Sequence, residues 1–237
     1  MEKNRNTFFL VMLLLVQTIS WGQSGVIRNY RDGIKFLFTR SENISLMGGT
    51  LLLSLAALPV DPAVKRYAQD KGLMSDDLAR VGDGFGGAYG HWILLGGQTV
   101  DYLIHSRSRT AFREEITYSL AALSFNGFTT VVLKELVGRE RPNGRGNRSY
   151  PSGHTSHSFT IATICQELYG PKIGLPVYGM AVLVALSRIH DNKHYLSDVI
   201  MGAGLGTAIG RGFAQSYLKE NVTVDVTPVT VRISIWL

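Results

Sequence analysis

Between residues 26 and 216 the chain is a succession of apolar, charge-poor stretches separated by glycine, proline or charged breaks. Stretches of this length and punctuation read as helices. Residues 43–60 are uncharged and leucine-rich and close at Pro59 and Asp61, and a charged connector runs on to Asp83. Residues 84–104 carry no charge before Asp101 and are rich in glycine. A long helical candidate spans 111–138. Another spans 151–169, with Pro151 in its first turn, where the missing N–H costs least. Gly170 and Pro171 break the chain before 173–189, and 195–217 completes the set. The expectation is an all-α bundle of about six core helices, with no internal repeat.

The uncharged runs are short of the roughly 20 apolar residues that a membrane span needs. They fit buried helices of a compact bundle as well. Gly202, Gly204, Gly206 and Gly210 suit close helix packing in lipid, which tilts the expectation towards membrane association. The two ends differ from the middle. Lys3 and Arg5, an apolar core over 8–16 and the small-x-small sequence Ser20-Trp21-Gly22 form an export-signal pattern over 1–22. Cleavage there would start the mature chain at Gln23, outside the cytoplasm; an uncleaved N-terminal anchor is the alternative. In 221–237, Val222, Val224 and Val226 alternate with Thr223, Asp225 and Thr227, and the alternation resumes after Pro228. Period two reads as strand, so a short β tail is expected after a helical domain over 23–220. A lone strand pair is marginal, so the tail would dock on the helices or on a partner protein that the sequence does not identify.

Composition narrows the chemistry. The 237 residues suffice for one domain, 45% are hydrophobic and 18% charged, and the net charge of +6 suits an acidic partner. No recognisable nucleic-acid motif accompanies that charge, so no nucleic acid is expected. The single cysteine, Cys165, excludes an internal disulfide and a cysteine-based metal cluster.

Three stretches between 134 and 198 carry phosphate chemistry. The first is Lys134-x6-Arg141-Pro142. A spacing of seven is close to two helical turns, which would put both cations on one face, with Pro142 as a stop. The second, Pro151-Ser152-Gly153-His154, opens a helix. Free N–H groups and the positive dipole end make such a terminus an anion site. Gly153 lets the backbone approach, and Ser152 adds a hydroxyl. The third is Ser187-Arg188-x5-His194-x3-Asp198. Arg188 offers a planar fork for phosphate oxygens. His194 and Asp198, read as i,i+4 on a helix, let the carboxylate fix the imidazole tautomer and leave the other nitrogen free to attack. Taken singly, each stretch is more simply a basic loop, a helix cap or a surface pair. In one chain, in this order, they describe one site.

In these three motifs the chain resembles the type-2 phosphatidic acid phosphatase and vanadium haloperoxidase superfamily, and the resemblance covers about 110–214. It implies a six-helix bundle and a phosphomonoesterase working through a phosphohistidine. His194 would be the nucleophile and His154 the acid and then the base. Lys134, Arg141, Arg188 and the amides of Ser152 and Gly153 would neutralise the phosphoryl oxygens. No metal and no other cofactor is implied, because the cations do a metal's work. The expected substrate is a lipid phosphate or pyrophosphate at a membrane surface of the cell envelope. A soluble acid phosphatase is the alternative. The chain is short for a vanadate haloperoxidase, and the intact motif set speaks against a non-catalytic envelope protein.

Overall fold

The structure, a computed structural model, describes residues 23–106, 108–220, 222–227 and 230–235. Nine α-helices are found among them: α1 (Gln23–Thr39), α2 (Ser41–Ala57), α3 (Asp61–Lys71), α4 (Asp76–Gly84), α5 (Gly90–His105), α6 (Arg109–Val137), α7 (Gly153–Tyr169), α8 (Pro171–His190) and α9 (Leu196–Glu220). A 3-10 turn, Leu58–Val60, joins α2 to α3, and a π-helical turn, Phe85–Tyr89, joins α4 to α5. Strands β1 (Val222–Thr227) and β2 (Thr230–Ile235) pair antiparallel, with Val222 opposite Ile235 and Thr227 opposite Thr230. The expected export signal, 1–22, lies outside the described residues.

The all-α class and the β tail agree with the sequence reading, and several boundaries do not. The 61–83 connector is two helices. Pro59 falls in the 3-10 turn and Pro62 in the first turn of α3, where a proline removes no needed hydrogen bond. The Ser75 hydroxyl then accepts from the Leu78 N–H and starts α4. Helix α6 stops at Val137 because Gly138 adopts a left-handed conformation (φ 60°) and donates back to the Lys134 carbonyl. Arg141 is therefore on a loop and not on the helical face expected for it. Pro151 precedes α7 instead of lying in its first turn, and His194 sits two residues before α9 begins.

Close approach of α7 and α9 organises the bundle. A Cβ on Gly202 would lie 2.6 Å from the Ser152 carbonyl oxygen, one on Gly206 2.1 Å from that of Ser156, and one on Gly210 2.7 Å from Thr163 Cβ. Spaced by four, these glycines form a bare stripe facing α7. Gly204, midway between two residues of that stripe, abuts Thr50 of α2 in the same way. Side chains fill the rest of the core: Ile161 and Ile164 of α7, Ile209 and Phe213 of α9, Tyr118 and Ala122 of α6, and Leu37 of α1. Asn126 of α6 donates to Ser156 Oγ (2.6 Å) and Thr160 Oγ1 (2.9 Å), and Thr160 donates to the Gly206 carbonyl (3.1 Å). The three helices are thus tied through satisfied buried polar groups.

The outside of the bundle is unusually apolar. Leu52, Leu103 and Leu136 are each more than two-thirds exposed, among many large hydrophobic side chains in the same state. Three continuous helical stretches, Ser41–Lys71, Arg109–Val137 and Pro171–His190, are long and apolar enough to cross a membrane. The runs seemed too short in sequence because the helix continues through Pro59 and into the charged residues of α3.

If the glycine stripe sets the α7–α9 distance, Gly206→Ala should lower stability by about 1–3 kcal/mol through overpacking against backbone. Gly96→Ala should be neutral or slightly stabilising, because nothing lies within 4 Å of that Cβ. Thermal unfolding of both variants in detergent checks the pair.

Candidate active site

The site forms where the N-termini of α7 and α9, the C-terminus of α8 and the 138–152 loop meet, and its deepest member is Asp198. This carboxylate is fully buried, which would cost several kcal/mol without partners. Arg139 Nη1 donates to Oδ1 at 2.7 Å, and Ser149 Oγ (2.6 Å) and the Tyr195 N–H (2.8 Å) donate to Oδ2. Burial works to raise its pKa, and these donors, with His194 and Arg139 beside it, bring it below the ordinary carboxylate value. Arg139 is itself held. Its Nη2 donates to Asp61 Oδ2 at 2.7 Å, and its guanidinium lies 4.1 Å from the centre of the Tyr195 ring. Asp61, also buried, accepts from the Ser197 N–H (3.0 Å) and Ser197 Oγ (2.6 Å).

His194 lies on this base, buried, with Nδ1 3.6 Å from Asp198 Oδ2. That is ion-pair range and slightly beyond a hydrogen bond. Its backbone N–H donates to the Arg188 carbonyl at 3.2 Å. Desolvation, reinforced by the charges of Lys134 and Arg141, lowers its pKa to about 4 against the pull of Asp198. The imidazole is therefore neutral at pH 7. With Nδ1 turned to Asp198, Nε2 is the nitrogen left for chemistry.

The cations surround that nitrogen in different ways. Lys134 Nζ donates to the carbonyls of Arg148 (2.8 Å) and Pro151 (2.7 Å), which pins the loop to α6 just before the helix start. The Arg141 side chain makes no hydrogen bond or ion pair among the described residues, although its charge is felt by Lys134 and His194. It is the readiest guanidinium for an incoming anion. Arg188 is buried and bonds Asp83, Asp191 (3.1 Å) and Ser187. At the α7 start, Ser152 is committed inward. Its N–H donates to the Asp198 carbonyl (3.0 Å) and its hydroxyl pairs with Thr155 Oγ1 (2.9 Å). The amides of Gly153 and His154 are the helix-start donors that remain. His154 follows, about two-fifths exposed, with its pKa lowered by desolvation and then by Arg188.

All eight residues expected from the motifs converge here, with Ser152 buttressing the site instead of facing it. Arg139, Asp61, Ser149 and Tyr195 were missed. Arg139 lies inside the first motif and was visible only as one more charge in a basic loop. Asp61 is far away in sequence and had no signal. Asp83 and Lys193 also border the site, with Lys193 Nζ 3.6 Å from Asp83 Oδ2. Among the described residues no three His, Cys, Asp or Glu side chains converge as a metal's ligands would.

Comparison with known proteins bears on the family and the fold. Residues 115–221 match the PAP2 superfamily. Lipid A 1-phosphatase of Porphyromonas gingivalis is 42% identical over 80 residues, covering 32% of this chain and 18% of that protein. Decaprenylphosphoryl-5-phosphoribose phosphatase of Mycobacterium tuberculosis is 37% identical over 90 residues, covering 34% of this chain and 49% of that one. The chain thus matches less than half the length of either relative. Among solved structures, a transmembrane PAP2-type phosphatidylglycerolphosphate phosphatase from Bacillus subtilis superposes with a TM-score of 0.56 at 22% identity, over 73% of this chain and 95% of that one. LpxE of Aquifex aeolicus superposes with a TM-score of 0.50 at 23% identity, over 64% and 92%. The three motifs, all inside the segment that matches the PAP2 superfamily, assemble at one helix junction of the fold that this chain shares with those two structures.

Proposed function

We propose that this chain is a phosphomonoesterase that removes phosphate from a lipid phosphate or pyrophosphate at a membrane, through a phosphohistidine on His194. The observation that carries the reading is a neutral, buried His194 braced by Asp198 among Lys134, Arg141 and Arg188, on a bundle with an apolar exterior. The relatives' names, phosphatases of lipid A and of a decaprenyl phosphoribose, support a lipid substrate.

In the proposed reaction, Arg141, Arg188, Lys134 and the Gly153 and His154 amides hold the equatorial oxygens and offset the charge that builds up there. His194 Nε2 attacks phosphorus in line. The N–P bond forms as the bond to the leaving oxygen breaks, and His154 gives that oxygen a proton. Water then attacks phosphorus, His154 takes its proton, and the N–P bond breaks to release phosphate. Asp198, saturated with donors, stays a carboxylate throughout and stabilises the positive charge on His194.

Phosphate release from phosphatidate, a polyprenyl diphosphate, lipid A and p-nitrophenyl phosphate tests the activity. A lipid preference is expected, whereas equal turnover of every phosphoester would favour a broad acid phosphatase. His194→Ala should abolish turnover, Asp198→Asn should lower kcat more than it changes KM, and excess EDTA should leave the rate unchanged. Turnover that falls with EDTA and returns with a divalent ion would contradict the cation-only site.

The 1–22 pattern supports an active-site mouth on the exported side of the membrane. Cell fractionation with N-terminal sequencing checks this, the expected start being near Gln23. A product starting at Met1 in the cytosol would refute it.

A further inference from the structure

The three motifs leave one wall of the site unassigned, and it comes from the junction of α4 with the π-helical turn. Asp83 Oδ1 contacts Arg188 Nη1 and lies 3.4 Å from His154 Nε2, and Oδ2 lies 3.6 Å from Lys193 Nζ. The neighbouring residues on this wall are bare. A Cβ on Gly86 would sit 3.1 Å from His154 Cβ, and one on Gly87 3.3 Å from His154 Nε2. The segment therefore presents a single functional group to the outward nitrogen of His154, the Asp83 carboxylate. Beside it, backbone without a side chain leaves an approach to that nitrogen open. The site so holds two histidine–carboxylate pairs, His194 with Asp198 and His154 with Asp83.

We propose that Asp83 is a positioning residue for the proton donor: its carboxylate, 3.4 Å from His154 Nε2, keeps the proton on that nitrogen until the leaving-group oxygen enters past Gly87 and takes it. The inference rests on the phosphohistidine reading and adds to it the group that keeps His154 ready to protonate the leaving oxygen. The charges facing His154 are Asp83 from α4, Arg188 from α8, His194 from the α8–α9 connector and His157 from its own helix. Asp83 alone among them favours the imidazolium. It remains a carboxylate because Arg188, Lys193 and His154 together outweigh its partial burial. When substrate binds, its phosphate adds negative charge at Arg188, and the carboxylate and the phosphate together favour the proton on His154. That proton passes to the leaving oxygen as the P–O bond breaks. Asp83 itself forms no bond to substrate.

A carboxylate that only anchored Arg188 would affect every substrate alike, whereas one that serves the proton donor affects substrates by their leaving group. An alkoxide must be protonated as it departs, and p-nitrophenolate need not be. Asp83→Asn, in the full chain in detergent, should therefore lower kcat on an alkyl lipid phosphate about tenfold or more. On p-nitrophenyl phosphate it should change kcat/KM, which reports the phosphorylation step alone, by no more than about twofold. Removing an opposite charge lowers the pKa of His154, so the limb on which alkyl-phosphate turnover falls with rising pH should move to lower pH, by about one unit. Asp83→Glu keeps the charge and should largely restore both the rate and the limb. In a His154→Ala background, Asp83→Asn should cost nothing further on the alkyl substrate. Equal losses on both substrates, a raised KM with kcat intact, or an unmoved pH limb would each overturn the inference. All three would leave the phosphohistidine reading standing. That reading fails separately, if His194→Ala still turns over.

Discussion

The site depends on keeping one carboxylate ionised where water cannot reach it. Asp198 is fully buried, and the cost of that burial is offset by Arg139, the Ser149 hydroxyl and the Tyr195 amide. Those same contacts fix its direction. Arg139 is held in turn by Asp61, which also binds the N–H and hydroxyl of Ser197 in the first turn of α9. The start of α9, the loop after α6 and the start of α3 are therefore locked together by one charged network. His194 inherits its orientation from that network. Under the proposed function its ring must hold position to within about 0.5 Å and direction to within about 10–20°, which a His–Asp pair on a mobile surface would not achieve.

Bringing a second helix start to this network requires unusual proximity, and the glycine stripe on α9 supplies it. With no side chains at Gly202 and Gly206, α7 approaches until its Ser152 amide bonds the Asp198 carbonyl. The N-termini of α7 and α9 then lie side by side, so two positive dipole ends meet at the site. The cations on the α6–α7 loop and on α8 add to a field that is already positive. This positive field favours the neutral form of His194 and so suits a nucleophile. It is adverse to a proton donor, which is the role proposed for His154, and Asp83 is the carboxylate that lies beside that ring.

The helical class, the β tail and the eight motif residues were legible in the sequence because each rests on a local pattern. Period and punctuation mark helices, alternation marks strands, and the motifs bring their residues within a few positions of one another. What failed were boundaries set by backbone geometry. The left-handed turn at Gly138 ends α6 one residue before the expected end, and the 3-10 turn at Leu58–Val60 lets helix continue where Pro59 read as a stop. Unreadable altogether were the partners that arrive from elsewhere. Asp61 and Asp83 sit in a stretch that reads as a solvated connector, and only folding shows that one holds Arg139 while the other meets Arg188 and His154. Arg139 illustrates an intermediate case, being inside a motif yet indistinguishable from its basic neighbours.

The central claim is that the braced His194 is the atom-bearing nucleophile, and the most direct measurement is chemical trapping. The full chain is mixed with a phosphate-labelled lipid substrate, quenched within one turnover and digested. The account predicts an acid-labile, base-stable phosphoryl group on the peptide that holds His194. It should be absent from His194→Ala and should accumulate in His154→Ala when the leaving group is p-nitrophenolate, because attack then needs no acid while hydrolysis has lost its base. Turnover by the wild-type chain with no label on His194, or label on another residue that persists in His194→Ala, would contradict it.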